Sequence, residues 1–202
     1  MKLGTREAGS EIIDLVGPLG RPSEVENFGT VVCVGGGVGI ALVYPIARAL
    51  AEAGNTVLGI VGARSRDLLF WEDRMHAVCD ELIVCTDDGT YGRMGLVTAP
   101  LKEILESRQD VACVWAVGPA IMMKFCAETT APFGVSTIVS LNPIMVDGTG
   151  MCGACRVEVG GQTRFACVDG PGFDGHQVDW DLLLARQGIY LIARSPERTA
   201  RL

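Results

Sequence analysis

The 202-residue chain reads as an α/β protein: a five-stranded parallel sheet covered on both faces, with a small cysteine-bearing module after it. Three observations predict this. Continuous apolar runs of strand length alternate with amphipathic, helix-length segments between residues 30 and 140, as strands buried on both faces require. The turns that follow those runs carry glycines, at residues 35–39, 62, 89 and 118. After Ser140 the alternation stops, and a turn-rich stretch with three cysteines takes over.

Residues 1–29 hold one strand-like run, 11–16, and a turn, 17–20. A lone strand has no sheet of its own, so this segment reads as the end of something or as an arm that packs elsewhere. The regular pattern then begins. Strands are expected at 30–34, 56–61, 82–85, 111–117 and 134–140, with helices at 40–53, 68–79, 96–105 and 120–128. Gly54 and Asn55 close the first helix, and Pro100 falls early in the third, where proline is tolerated. A polar loop spans 86–93. Residues 155–159 and 163–168 read as a hairpin across Gly160 and Gly161, and 178–187 as a short helix before a polar tail. The expected divisions are 1–29, 30–141 and 142–202.

Composition excludes several classes. Hydrophobic residues make up 49 % and charged residues 20 %, which argues for a packed core. The net charge of −7 argues against nucleic acid and anionic membrane as partners. No apolar run reaches the length of a bilayer span, and residues 1–10 lack the apolar segment of a secretory signal. A cytoplasmic, reducing location is therefore expected. Five of the eight cysteines, Cys33, Cys79, Cys85, Cys113 and Cys126, sit in apolar periodic segments and read as core. Cys152, Cys155 and Cys167 do not.

The loop Gly35, Gly36, Gly37, Val38, Gly39 joins the first strand to the first helix. Glycines at such a turn let backbone approach a pyrophosphate, and the helix N-terminus offers N–H donors. The spacing departs from G-x-G-x-x-G, and no acid follows the second strand to hold a ribose hydroxyl. Instead the strand runs into Gly62, Arg64 and Ser65. With Asp87 and Asp88 after the third strand and Gly118 and Pro119 after the fourth, these residues all fall on the ligand edge of the sheet. A guanidinium among glycine turns favours a phosphate-bearing ligand; NAD and NADP both remain open.

Asp147-x4-Cys152-x2-Cys155-x11-Cys167 carries the sharpest signal. Plant-type 2Fe-2S sites space their cysteines C-x4-C-x2-C with a distant fourth, and here Asp147 occupies the first place. The interleaved Gly148, Gly150 and Gly153 suit a loop that aims backbone N–H groups at cluster sulfurs. Structural zinc is the competing chemistry, although zinc sites favour a second C-x2-C pair or a histidine. The two histidines offer little: His76 reads as a surface residue and His176 as part of a polar turn.

These residues resemble a known group. The glycine loop with Ile40 and Ala41, the Gly62–Ser65 turn, residues 86–93 and residues 118–123 resemble the nucleotide-binding half of the ferredoxin-NADP reductase superfamily. Residues 140–155 more specifically resemble the small (beta) subunit of NADH-dependent reduced ferredoxin:NADP oxidoreductase, or sulfide dehydrogenase. The resemblance implies a ferredoxin-reductase-type nucleotide-binding domain with an iron–sulfur module. It implies a 2Fe-2S cluster on Asp147, Cys152, Cys155 and Cys167, NAD(P)(H) on the glycine edge, and FAD in an N-terminal barrel. Residues 11–16 would be that barrel's last strand, most of it lying outside this chain. The implied partner is a larger flavoprotein and iron–sulfur subunit of the glutamate synthase small-chain type, with ferredoxin a further candidate. The implied activity is that of an NAD(P)H-dependent oxidoreductase subunit, incomplete without its FAD domain; the chemistry is the cofactors', and no catalytic side chain is expected. The electron-transfer subunit of dihydroorotate dehydrogenase is a close cousin, with Cys where this chain has Asp147. Val117 stands where ferredoxin-NADP reductases proper carry Cys. A nucleotide-binding module with structural zinc is the non-enzymatic alternative.

Overall fold

A computed structural model of the chain describes residues 3–192. Its elements run β1 (Thr30–Gly36), α1 (Gly39–Glu52), β2 (Thr56–Ala63), α2 (Glu72–His76), β3 (Glu81–Thr86), β4 (Arg93–Met94) and α3 (Thr98–Ser107). They continue through β5 (Val111–Val117), α4 (Ala120–Thr130), β6 (Ser136–Ser140), β7 (Arg156–Val159), β8 (Gln162–Phe165), β9 (Gly172–Asp174) and α5 (Trp180–Ile192). The main sheet has the order β4-β3-β2-β1-β5-β6-β9. All its pairings are parallel except β6 with β9. The order reverses between β1 and β5, and such a switch point opens a crevice at the carboxyl ends of the strands.

The sheet separates two apolar layers because side chains alternate across it. Val31 and Cys33 of β1 face α1, whose Ile40, Val43, Ala47 and Leu50 form a helical stripe. Val32 and Val34 face the other way, toward Leu101 of α3 and Met123 and Cys126 of α4. Helix α1 continues through Pro45 at the cost of a backbone hydrogen bond, its buried stripe outweighing the break.

The cysteine module is fastened to the second layer. Strand β9 adds an antiparallel edge through Val139 opposite Phe173, flanked by Leu141 N–H to Pro171 O at 2.9 Å and Gly175 N–H to Thr137 O at 2.8 Å. Cys155, Val157, Cys167, Trp180 and Leu183 share one buried cluster with Val139, Ala127 and Met123. The β7–β8 hairpin stands apart as its own two-stranded sheet.

Several elements differ from the sequence expectation. No strand forms at 11–16; Ile13 is 94 % exposed and no neighbouring strand supplies hydrogen bonds. The arm instead touches down at Arg21, whose N–H donates to Gly170 O at 2.6 Å. The expected helix 68–79 shrinks to α2 because Trp71 takes a left-handed φ of 58°, which ends the preceding turn. Trp71 there packs edge-on against Tyr44 under the Arg74 guanidinium. Strands β4 and β9, three residues or fewer, carry too little pattern to be anticipated. The polar tail beyond residue 192 lies outside the described residues. Among the described residues, no helix is long and apolar enough to cross a membrane.

Two polar groups hold the amino edge. Asn55, 7 % exposed, accepts the Phe28 and Gly29 N–H groups and donates to Glu26 O and Leu50 O, tying the incoming chain to the end of α1. Asp110 receives the Arg108 guanidinium and the Thr30 hydroxyl at 2.6 Å, which together hold its carboxyl well below the usual carboxylate range. Asn55→Ala, which strands buried backbone groups, should lower unfolding free energy by at least about 2 kcal/mol in urea titrations. Because the Asp110 pKa is depressed in the folded state, its stabilisation is present at neutral pH and fades as pH falls below about 4. Asp110→Asn should therefore lie below the parent in stability at pH 7, and the two curves should converge in acid.

Candidate functional site

A cleft of about 720 Å³ runs along the carboxyl edge of the sheet at the switch point. Gly36, Gly37, Val38, Gly62, Arg64, Asp87 and Pro119 of the expected set line it. The Gly37 N–H donates to Gly62 O at 2.8 Å, which fixes the glycine loop across the end of β2. Helix α1 starts behind this loop with no side-chain cap and no acid in its first turn, which leaves its positive dipole end open to an anion, while the Ile40 and Ala41 N–H groups close the turn on Gly37 O and Val38 O.

Gly35, Gly39 and Gly118 serve the cleft from behind. A Cβ on Gly39 would stand 2.1 Å from Val117 O, and one on Gly35 would stand 3.1 Å from the Ile40 Cα. These glycines let α1 sit against the ends of β1 and β5, so their requirement is close packing. Ser65 and Asp88 are spent locally. The Ser65 hydroxyl donates to Asp67, and Asp88 accepts the Thr90 N–H and hydroxyl, which draw its pKa down. The sequence reading missed the apolar walls, Leu68, Phe70, Leu96, Ile121 and Phe125. Each lies only a few residues beyond a strand end and is at least one-third exposed, a combination that flags a ligand face.

The second site is the loop between β6 and β7. Cys155 and Cys167 are buried with their sulfurs 3.2 Å apart. Asp147 is linked to Cys152 and Cys167. Its carboxylate takes a hydrogen bond from the Cys152 side chain, accepts the Thr149 hydroxyl and the Thr149 and Cys152 N–H groups, and is held well below the usual carboxylate range. Its charge also acts on Cys167, whose thiol is pushed up first by the Cys155 hydrogen bond and then by burial, while the Gly150 N–H opposes the rise. Thus the β6–β7 loop and the turn after β8 bring Asp147, Cys152, Cys155 and Cys167 into one electrostatic neighbourhood. Among the described residues, no three of these groups are drawn together as tightly as a single metal ion would require.

The donor set fits an iron–sulfur cluster chemically. Three soft sulfurs and one carboxylate make four ligands. Backbone N–H and hydroxyl donors occupy three of the carboxylate's roughly four acceptor positions, and the Cys152 side chain takes up the fourth. Gly150 and Ala154 aim N–H groups at Cys167 and Cys152. The core cysteines are of another kind: burial pushes the Cys126 thiol up to about 12 and Cys79 to about 11, keeping both protonated. Neither histidine joins a site. His176 meets Thr130 and Asp174, and His76 stays exposed beside Glu72.

Comparison with known proteins agrees with this geometry. Residues 142–179 match the iron-sulfur cluster binding domain of dihydroorotate dehydrogenase B. A Thermotoga maritima homolog of the dihydroorotate dehydrogenase B (NAD(+)) electron transfer subunit is 56 % identical over 189 residues, 94 % of this chain and 66 % of that protein. The Bacillus pumilus electron transfer subunit is 31 % identical over 88 % of this chain and 69 % of its own length. This chain therefore spans about two-thirds of the curated relatives it matches. Among solved structures, a chain of NADH-dependent reduced ferredoxin-NADP oxidoreductase is 52 % identical, with a TM-score of 0.86 over 99 % of this chain and 72 % of that one. The C-terminal domain of a Pyrococcus furiosus hydrogenase, 29 % identical, aligns over 62 % of this chain with a TM-score of 0.52.

Two substitutions in one loop separate packing from backbone strain. Gly39→Ala drives a Cβ into the Val117 carbonyl and should cost about 2 kcal/mol or more in urea unfolding. Gly37, at φ 53° but facing open space, should lose only about 1 kcal/mol as Ala.

Proposed function

This chain belongs to the family of dihydroorotate dehydrogenase B electron transfer subunits, within the ferredoxin-NADP reductase superfamily, and on that premise we propose that it carries electrons between a nicotinamide nucleotide and a 2Fe-2S cluster. The neighbourhood of Asp147, Cys152, Cys155 and Cys167, drawn from the β6–β7 loop and the turn after β8 and fastened to the main sheet through β9, carries this reading. When bound, the nicotinamide supplies hydride, a flavin the split into single electrons, and the cluster one-electron transfer.

The chain's own groups place and insulate. The glycine loop and the start of α1 receive the pyrophosphate, with Arg64 beside the ribose end. Phe70, Ile121 and Phe125 would offer apolar surface to the rings of a bound nucleotide. Asp147 holds the first cluster position with a carboxylate whose ionised form is favoured by its donors. Cys155 and Cys167 sit in the shared core, which lowers solvent access to that side of the cluster.

The acidic ligand Asp147 and the 52 % identity to the ferredoxin-NADP oxidoreductase chain favour a partner of that enzyme's kind, a larger flavoprotein with its own iron–sulfur clusters. The match of residues 142–179 favours a second reading, in which the partner is a dihydroorotate-oxidising subunit.

Anaerobically purified and reconstituted chain should hold about two iron and two acid-labile sulfide, with visible bands that dithionite bleaches. Cys152→Ala should lose the iron yet keep affinity for NADH or NADPH, read by calorimetry. Colourless protein that holds zinc, or that takes up no iron, would overturn the reading.

A further inference from the structure

Two arginines outside the ligand set grip the turn between Cys152 and Cys155. Arg156, at the start of β7, donates through Nη1 to Gly153 O at 3.2 Å, and its own N–H reaches the same oxygen at 3.4 Å. Arg186, on α5, donates through Nη2 to Ala154 O at 3.3 Å from 32 residues away. Consecutive peptide carbonyls are thereby pulled outward.

In a trans peptide the C=O and the following N–H point in opposite directions. Holding Gly153 O outward turns the Ala154 N–H inward, and it lies 3.5 Å from Cys152 Sγ. The Ala154 carbonyl is held in the same way by Arg186, which fixes the Ala154–Cys155 peptide beside it. A cation at the carbonyl end of a peptide also strengthens the donor at its other end.

The two guanidiniums have no acidic partner among the described residues. They rim a pocket of about 210 Å³ with Pro143, Ile144, Leu183 and Gln187, none of them acidic. Among the described residues, neither has a carboxylate within ion-pair distance. In a chain of net charge −7, this leaves uncompensated positive charge beside the loop that also holds Asp147.

We propose that Arg156 and Arg186 are positioning residues for the cluster: they orient the Gly153 and Ala154 peptides and raise the reduction potential against the negative charge of Asp147. The inference rests on the cluster-binding reading above. Hydrogen bonds to cluster sulfurs and net charge are the protein's means of setting a cluster's potential. A gained electron makes the cluster more negative, so nearby cations favour the reduced state.

The test compares the reconstituted full-length chain with the Arg156→Gln/Arg186→Gln double variant, by redox titration followed by electron paramagnetic resonance and by iron release to a chelator. The double variant should shift the reduction equilibrium about tenfold toward the oxidised cluster, 59 mV for one electron, and should release iron several-fold faster. Arg186→Lys keeps the charge but loses the planar fork; it should hold the potential and still release iron faster than the parent. Nucleotide affinity at the distant cleft reports that the fold is intact. A folded double variant with parental potential and parental release would overturn the proposal. Should the double variant fail to fold, Arg156→Gln alone, at an exposed side chain, decides by the same two readings. A parent chain that takes up no iron overturns the cluster reading instead, and this inference with it.

Discussion

The pairing of β9 with β6 is the constraint on which both sites depend. Without it the cysteine module would be joined to the sheet only through the chain at Leu141 and through α5 packed on α4. With it, Phe173 is drawn into the layer that already holds Val139, Met123 and Ala127, and Cys155 and Cys167 follow into the same apolar cluster. An antiparallel edge on a parallel sheet also covers what would otherwise be an open edge at β6. The cleft at the carboxyl ends of β1, β2 and β5 and the cysteine loop beyond β6 are thus built on one sheet and one apolar layer. Electron transfer needs that more than it needs reactive side chains, because the chemistry belongs to bound groups and the protein supplies their placement.

Both sites use backbone donors in preference to side chains. At the cleft, the uncapped start of α1 is kept close to β5 by the missing Cβ of Gly39. At the cysteine loop, Gly150 and Ala154 N–H groups face sulfur, and Asp147 organises its own turn through Thr149. Such donors are fixed by the chain path and cost no side-chain ordering. Charge enters at the periphery, through Arg64 at one site and Arg156 and Arg186 at the other.

The parallel sheet was legible because its strands are buried on both faces. Residues 111–117 form β5 as expected, and 30–34 extends to Gly36 only because its last two residues are glycines with no pattern of their own. Spacing singled out Asp147, Cys152 and Cys155 as neighbours on one short loop, and the hairpin of β7 and β8 returns the chain to set Cys167 against Cys155. Position in the cleft was less legible. Ser65 and Asp88 look like ligand groups in the sequence, yet each satisfies a neighbour two residues away. The cleft's walls come from apolar residues of separate elements, which no single window joins. Residues 11–16 have strand composition but no partner, and Trp71 breaks its helix through a backbone angle set by packing on Tyr44. Arg156 and Arg186 lie thirty residues apart, and only the fold brings them to adjacent carbonyls.

Anomalous diffraction from anaerobically grown crystals of the reconstituted chain, recorded on either side of the iron absorption edge, tests the central claim most directly. The account predicts a pair of iron peaks enclosed by Asp147, Cys152, Cys155 and Cys167, on the inner side of the Gly153 and Ala154 peptides. A single zinc peak there, or iron bound elsewhere while these four residues stay unligated, would contradict it.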